Sequence, residues 1–256
     1  MHCQPFYIFS QRNFLNNYRF YAILIMEKIE YEFLEYLKGY ITPHKIKLID
    51  KILNQRTRYF TVILENIFKP HNASAVLRTA DCFGIQDIHI IEKENSYKIN
   101  PYVTRGASQW VDIFKYENTN GTAVKDCFRN LKSKGYQILA TSPRAESLSI
   151  HDLIPDKKIA LVFGNEHEGV SEEVIAEADG LVHIPMYGFT ESFNISVSAS
   201  IFLFDLLRKA QSLEIPDIFL SPIEKDVLRS KWYRGLVNQV EIHEREFYKK
   251  KEKEIQ

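Results

Sequence analysis

The middle of the chain alternates short apolar runs with amphipathic stretches. Phe60–Leu64, Ile88–Ile91, Gln137–Ala140, Ile159–Phe163 and Leu181–Ile184 are brief, largely β-branched runs that predict strands. Between several of them apolar residues recur at helical spacing. Ala73, Val76, Leu77 and Ala80 predict a helix over 73–83 that Gly84 ends. Ala123, Cys127, Phe128 and Leu131 repeat the pattern, with Gly135 as the stop. Ser171 before Glu172 and Glu173 predicts a capped helix start, with acids at the positive end of the dipole. Such alternation predicts an α/β fold whose parallel sheet is covered on both faces. Ligands in such sheets sit beyond the C-terminal ends of the strands.

Both flanks read as helical and basic. Thr42-Pro43 is a cap followed by a first-turn proline, opening a helix with Ile46, Ile49 and Leu53 on one stripe. Lys45, Lys47 and Lys51 lie on its other faces, and Arg56 and Arg58 follow. Ser221-Pro222-Ile223-Glu224 fits a capping box. The helix it opens carries Lys225, Arg229, Lys231 and Arg234, and each charged face reads equally as a solvated surface or a contact for nucleic acid. The predicted division is 1–25 as a leader, 26–59 as an N-terminal helical extension, 60–212 as the α/β domain and 213–256 as a C-terminal helical extension.

Composition changes this picture little. The chain has 256 residues, 45% of them apolar, enough to bury a full core. With 33 basic against 33 acidic residues, net charge does not advertise a nucleic-acid binder, so any positive surface must be local. Cys3, Cys82 and Cys127 lie far apart without CxxC spacing, which supports neither a disulfide framework nor a metal site and points to a reducing, cytoplasmic setting. Arg12 and Arg19 precede the apolar run Phe20–Met26, which is too short to span a bilayer and lacks a small-residue cleavage site before Glu27 and Glu30. No membrane association is expected, and Met26 is an alternative start.

Three segments place polar residues inside core-like patterns. In NIFKPHNASAVLRTADCFG, Asn72 follows a proline turn and reads locally as a helix N-cap. Arg78 lies beside the apolar stripe, either as a surface arginine or as a guanidinium reaching a phosphate or hydroxyl at the sheet edge. In IALVFGNEHEGVSEEV, a buried strand runs into Gly164, Asn165, Glu166, His167, Glu168 and Gly169, where glycines permit tight turns and close approach to a ligand. This is neither GxGxxG nor a P-loop, which removes the main support for a nicotinamide-dependent oxidoreductase. In LVHIPMYGFTESFNISVSASIFLFDLLR, Ser192 and Asn194 stand just before a helix rich in small residues, again compatible with local capping.

Taken together and in order, these segments resemble the three motifs of the SPOUT superfamily, and within it the TrmH (SpoU) branch of RNA ribose 2′-O-methyltransferases. The resemblance rests on HNASAVLR, on the GxE after the strand Ile159–Phe163, and on IPMxG…SxN. It covers about Phe60 to Arg208 and extends more weakly into both helical flanks, which look like those of the tRNA enzymes of this branch.

The resemblance implies a Rossmann-like parallel sheet followed by a C-terminal segment threaded into a trefoil knot, a rare exception to the rule against threading. It implies S-adenosyl-L-methionine as cofactor, held largely by backbone, with Thr141, Gly164, Ile184 and Phe193 in contact. It implies a homodimer and no metal. Arg78 becomes the central catalytic residue, often described as the base, yet arginine does not deprotonate in proteins. The physically consistent role is a cation that binds an RNA phosphate and lowers the effective pKa of the hydroxyl, with a phosphate oxygen or water accepting the proton. Glu166 is expected to orient or neutralise Arg78, while Asn72, Ser192 and Asn194 fix the ribose and the loops. The substrate expected is tRNA, at a D-loop guanosine, because residues 1–59 look too short for the extra domain of many ribosomal RNA enzymes. A ribosomal RNA target and a non-catalytic RNA-binding module are the alternatives.

Overall fold

A computed structural model of the chain describes residues 28–93, 100–118, 120–144 and 146–255. The leader 1–25, the alternative start Met26 and Cys3 lie outside the described residues. In chain order the elements are helix α1 (residues 28–38), α2 (Pro43–Leu53), β1 (Phe60–Glu65), α3 (Pro70–Cys82), β2 (Asp87–Glu92), the short α4 (Pro101–Thr104), β3 (Asp112–Glu117) and α5 (Ala123–Ser133). There follow β4 (Tyr136–Thr141), β5 (Leu148–Ser149), β6 (Lys158–Phe163), α6 (Glu172–Glu177), β7 (Gly180–His183), α7 (Ile195–Ser212), α8 (Pro222–Leu236) and α9 (Val240–Ile255).

The strands form one sheet in the order β3-β2-β1-β6-β4-β7-β5, with every pair parallel. The apolar runs are continuous because both faces are covered. Ile159, Leu161 and Phe163 of β6 pack into the core that holds α3 and α7, while Ala160 and Val162 pack with α5 and Val174 of α6. In β1, Val62 and Leu64 face the first layer and Ile63 the second. Chain order reverses between β1 and β6: from β1 the chain moves to β2 and β3 on one side, and later to β4 on the other. In sheets of this kind ligands bind at such a switch point, here at the carboxyl ends of β1 and β6.

The expected strands are present, with slightly different ends; two more, β3 and β5, were not apparent in the pattern. The expected helix over 73–83 begins three residues earlier, at Pro70. Asn72 is therefore not an N-cap; that position belongs to Lys69, whose side chain caps nothing. Arg56 and Arg58 do not extend a basic surface either. Arg56 is 1% exposed, pairs with Asp81 at 2.5 Å and donates to the carbonyls of Ile85 and Trp110. Arg58 joins the amino ends of three strands, meeting Asp87 at 3.0 Å and Asp112 at 2.8 Å.

Two compact units result, one comprising residues 51–225 and the other the described parts of 1–50 and 226–256. In the second unit Arg234 grips Glu30 through two bonds of 2.7 and 2.9 Å and lies over the Phe33 ring at 5.1 Å. The Tyr36 hydroxyl meets His243 Nδ1 at 2.9 Å. In the first unit Ser221 and Glu224 form the expected reciprocal cap. Among the described residues no helix is long and apolar enough to cross a membrane.

Candidate functional site at the carboxyl edge of the sheet

The loop after β6 is shaped by its own backbone. Asn165 and Gly169 exchange two backbone hydrogen bonds of 3.0 Å, and Asn165 Oδ1 accepts from the amides of His167 and Glu168. Gly169 closes the turn at φ 73°, a conformation that favours glycine. Gly164 is required for a different reason: a Cβ there would collide with the backbone of Gly169 and Val170. The close approach at Gly164 is thus the chain folding on itself, which pins the first residue of the loop beside the last.

That loop presents Glu166 to α3. Asn72 Nδ2 donates to Glu166 Oε1 at 2.5 Å, and Asn72 Oδ1 accepts from Asn194 Nδ2 at 3.3 Å. Asn194 in turn caps α7, accepting from the amide and hydroxyl of Ser196. A line of hydrogen bonds therefore runs from the loop after β6, through the first turn of α3, to the start of α7. Asn72 is buried, as is Glu166 Oε2, which has no hydrogen-bond partner among the described residues. An orphaned carboxylate oxygen beside a crevice is an acceptor for a ligand hydroxyl or amine.

A second cluster supports the same loop. Glu65, at the end of β1 and 2% exposed, accepts from the amide and hydroxyl of Ser171 at 2.9 and 2.5 Å and pairs with Lys93 at 2.8 Å. Lys93 also donates to Ser171 Oγ at 2.9 Å. Burial disfavours the Lys93 charge, but Glu65 and Glu173 outweigh it and raise the ammonium above lysine's usual range. Ser171 is the expected N-cap of α6, accepting from the Val174 amide. The role of Glu65 was missed in the sequence, where the only signal was a carboxylate closing an otherwise apolar strand.

Thr141, Gly164 and Ile184 stand at or just past the carboxyl ends of β4, β6 and β7, and β4 lies between the other two in the sheet. Thr141 Oγ1 donates to the Val162 carbonyl at 2.9 Å, and the Ser142 amide donates to the Val182 carbonyl at 3.0 Å. Arg144, in the loop after β4, pairs with Glu172. Phe193 is exposed, as are Tyr187 and Phe189 on the same loop. The three loops bring main chain to this edge, and Ile184 and Phe193 add apolar side chains, which fits a cofactor held largely by main chain.

Not all the predicted residues meet. Glu166 contacts Asn72 rather than Arg78. Arg78 is exposed, two turns along α3, and makes no ion pair or hydrogen bond among the described residues. Ser192 is exposed and likewise makes no side-chain hydrogen bond among them. No group of three or more His, Cys, Asp or Glu among the described residues could hold a metal ion.

Residues 59–204 match the SpoU rRNA methylase family. Over 208 residues the chain is 44% identical to a tRNA (guanosine(18)-2'-O)-methyltransferase of Borreliella burgdorferi, covering 81% of this chain and 93% of that protein. The structure resembles the A. aeolicus TrmH/SpoU tRNA modifying enzyme, with a TM-score of 0.68 at 31% identity over 77% of this chain and 98% of that one. It also resembles an AdoMet-bound rRNA methyltransferase from Sinorhizobium meliloti, with a TM-score of 0.51 at 25% identity over 65% of this chain and 60% of that one. The fold is that of an α/β RNA-modifying enzyme. The chain belongs to the SpoU methylase family.

Proposed function

We propose that the protein transfers a methyl group from S-adenosyl-L-methionine to the ribose 2′-hydroxyl of a D-loop guanosine in tRNA. The observation that carries this reading is the line Glu166–Asn72–Asn194, which ties all three motif segments together at the switch point of the sheet. The 44% identity to a tRNA (guanosine(18)-2'-O)-methyltransferase supports the choice of tRNA.

When bound, S-adenosyl-L-methionine supplies the electrophilic methyl group and the leaving-group chemistry. Thr141, Gly164, Ile184 and Phe193 would hold it, mainly through backbone. Arg78 binds the RNA phosphate next to the target ribose, and its fixed positive charge stabilises the oxyanion that forms as the hydroxyl loses its proton. The proton passes to a phosphate oxygen or water, since the guanidinium cannot accept it. Glu166, already bonded to Asn72, keeps one oxygen for a ribose hydroxyl, while Ser192 and Asn194 order the loop over the sugar. Orientation of this kind converts an encounter into an aligned pair.

The chain after β7 is threaded as a trefoil knot, and the protein works as a homodimer. Val197 and Phe204, exposed on α7 at helical spacing with Ile201 between them, suit the face of a second copy. Through that face one subunit brings its Arg78 to the crevice of the other. The segments 26–59 and 213–256 serve as helical extensions of the catalytic domain 60–212, and the protein acts in the cytoplasm.

The test is to incubate the purified protein with labelled S-adenosyl-L-methionine and total RNA, then digest and map the label. Label as 2′-O-methylguanosine in tRNA is expected. Label confined to ribosomal RNA, or none with RNA bound, overturns the reading.

A further inference from the structure

We propose that the turn at residues 100–105 is an RNA-contact surface, with Tyr102 stacking on an unpaired base and Arg105 joining Arg78 on the neighbouring phosphates. The inference rests on the reading of the protein as an RNA enzyme and adds a contact outside the three motif segments.

The turn is firmly anchored. Asn100 caps α4 by accepting from the Tyr102 amide at 3.1 Å, and its own amide donates to Ser74 Oγ on α3 at 2.9 Å. Ser74 and Thr104 are buried. Further along, the Arg56 guanidinium bridges Asp81 of α3 and the Trp110 carbonyl. Residues 100–110 therefore run beside α3 in its own direction, from Ser74 to Asp81. Arg78 stands four residues after Ser74 and three before Asp81, on the same face of the helix. Arg105 occupies the middle of the facing segment.

What the turn projects finds no partner among the described residues. Tyr102 is 92% exposed and makes no ring contact among the described residues. Arg105 is exposed and, like Arg78, forms no ion pair among the described residues. Arg56, Arg58 and Arg144, by contrast, each pair with a carboxylate. The nearby acid Asp81 is already engaged by Arg56, so the surface keeps its positive charge. Arg105 adopts φ 46° and Gly106 follows at φ 85°, a left-handed pair that aims the arginine away from the core. A free aromatic platform beside two unneutralised guanidinium groups matches looped RNA, where splayed bases stack on aromatic rings and phosphates meet cations.

The experiment measures binding of a fluorescently labelled tRNA transcript to the full chain across a range of salt concentrations. Tyr102→Ala should raise Kd about tenfold, in line with base–aromatic stacking, while Tyr102→Phe should stay within about twofold. Arg105→Ala should weaken binding and reduce the slope of log K against log salt by about one. Cofactor affinity by calorimetry and mass by sedimentation should match the wild type. Wild-type RNA binding in both alanine variants, equal damage from Tyr102→Phe and Tyr102→Ala, or a changed oligomeric state overturns the inference. If the wild type binds RNA with these dependences yet transfers no methyl group, the methyltransferase reading falls and the contact surface stands.

Discussion

Asn72 and Glu166 meet at 2.5 Å although 94 residues separate them in sequence. The contact spans the switch point, joining the helix after β1 to the loop after β6. It leaves Glu166 Oε2 buried and without a hydrogen-bond partner among the described residues, so the carboxylate is held in place through one oxygen. Replacing Glu166 with Gln keeps the shape but turns an acceptor into a donor or a weaker acceptor. Methyl transfer should fall about 10- to 100-fold, the equivalent of one or two lost charge-assisted hydrogen bonds. Cofactor affinity should change little. Single-turnover kinetics beside calorimetry separate the two, and unchanged turnover would remove Glu166 from the chemistry.

Arg78 gives a sharper test of mechanism. Arg78→Lys keeps the charge and loses the planar fork that grips phosphate. Turnover should drop by about 100-fold or more, since misaligned reactants forfeit much of the advantage of orientation. Cofactor binding should remain within about twofold, because no sulfonium contact is assigned to this side chain. A lysine variant with near-normal turnover would show that charge alone suffices and that the fork is dispensable.

The sheet was legible because its central strands are buried on both faces and so read as unbroken apolar runs. β3 was not, since DIFKYE lies at the sheet edge, is half-exposed and mixes charge with apolar residues. The site residues were legible as types and spacings, but their partners were not. Asn72 looked like a cap because local rules see only its neighbours, whereas its partners lie after β6 and before α7. Arg56 and Arg58 looked like part of a basic flank because the acids that neutralise them, Asp81, Asp87 and Asp112, come 25 to 54 residues later. Tertiary pairing, invisible to periodicity, decided each case.

His89 makes the stability of the sheet depend on pH. It is buried on β2, its Nδ1 lies 3.1 Å from the Tyr116 hydroxyl, and its ring stacks on Phe114. Burial, aided by the Lys134 charge, lowers its pKa from 6.5 to about 4. Below pH 6.5 the unfolded chain takes up a proton that the folded chain refuses until about pH 4. Stability contributed by the neutral ring is thus complete above pH 6.5 and is lost progressively as pH falls from 6.5 to about 4, on the order of 3 kcal/mol. Urea unfolding of wild type and His89→Gln at pH 7 and pH 4 should show their difference shrinking by about that amount. A pH-independent difference would rule the assignment out.

Gly164→Ala tests whether the loop after β6 must close on itself to bind the cofactor. The added methyl would meet the Gly169 carbonyl group and the Val170 amide, both backbone, so no side chain can swing aside. Relief requires moving the whole 164–170 turn, which would pull Ser171 from Glu65 and Glu166 from Asn72. Overpacking a tight interior site costs about 1–3 kcal/mol, so the variant should still fold. Cofactor affinity should nevertheless fall at least about tenfold, since a shift of this kind costs at least one well-placed hydrogen bond. Thermal melting with and without S-adenosyl-L-methionine reads both effects at once. Wild-type stabilisation by the cofactor in the variant would show that the geometry of this turn is immaterial to binding.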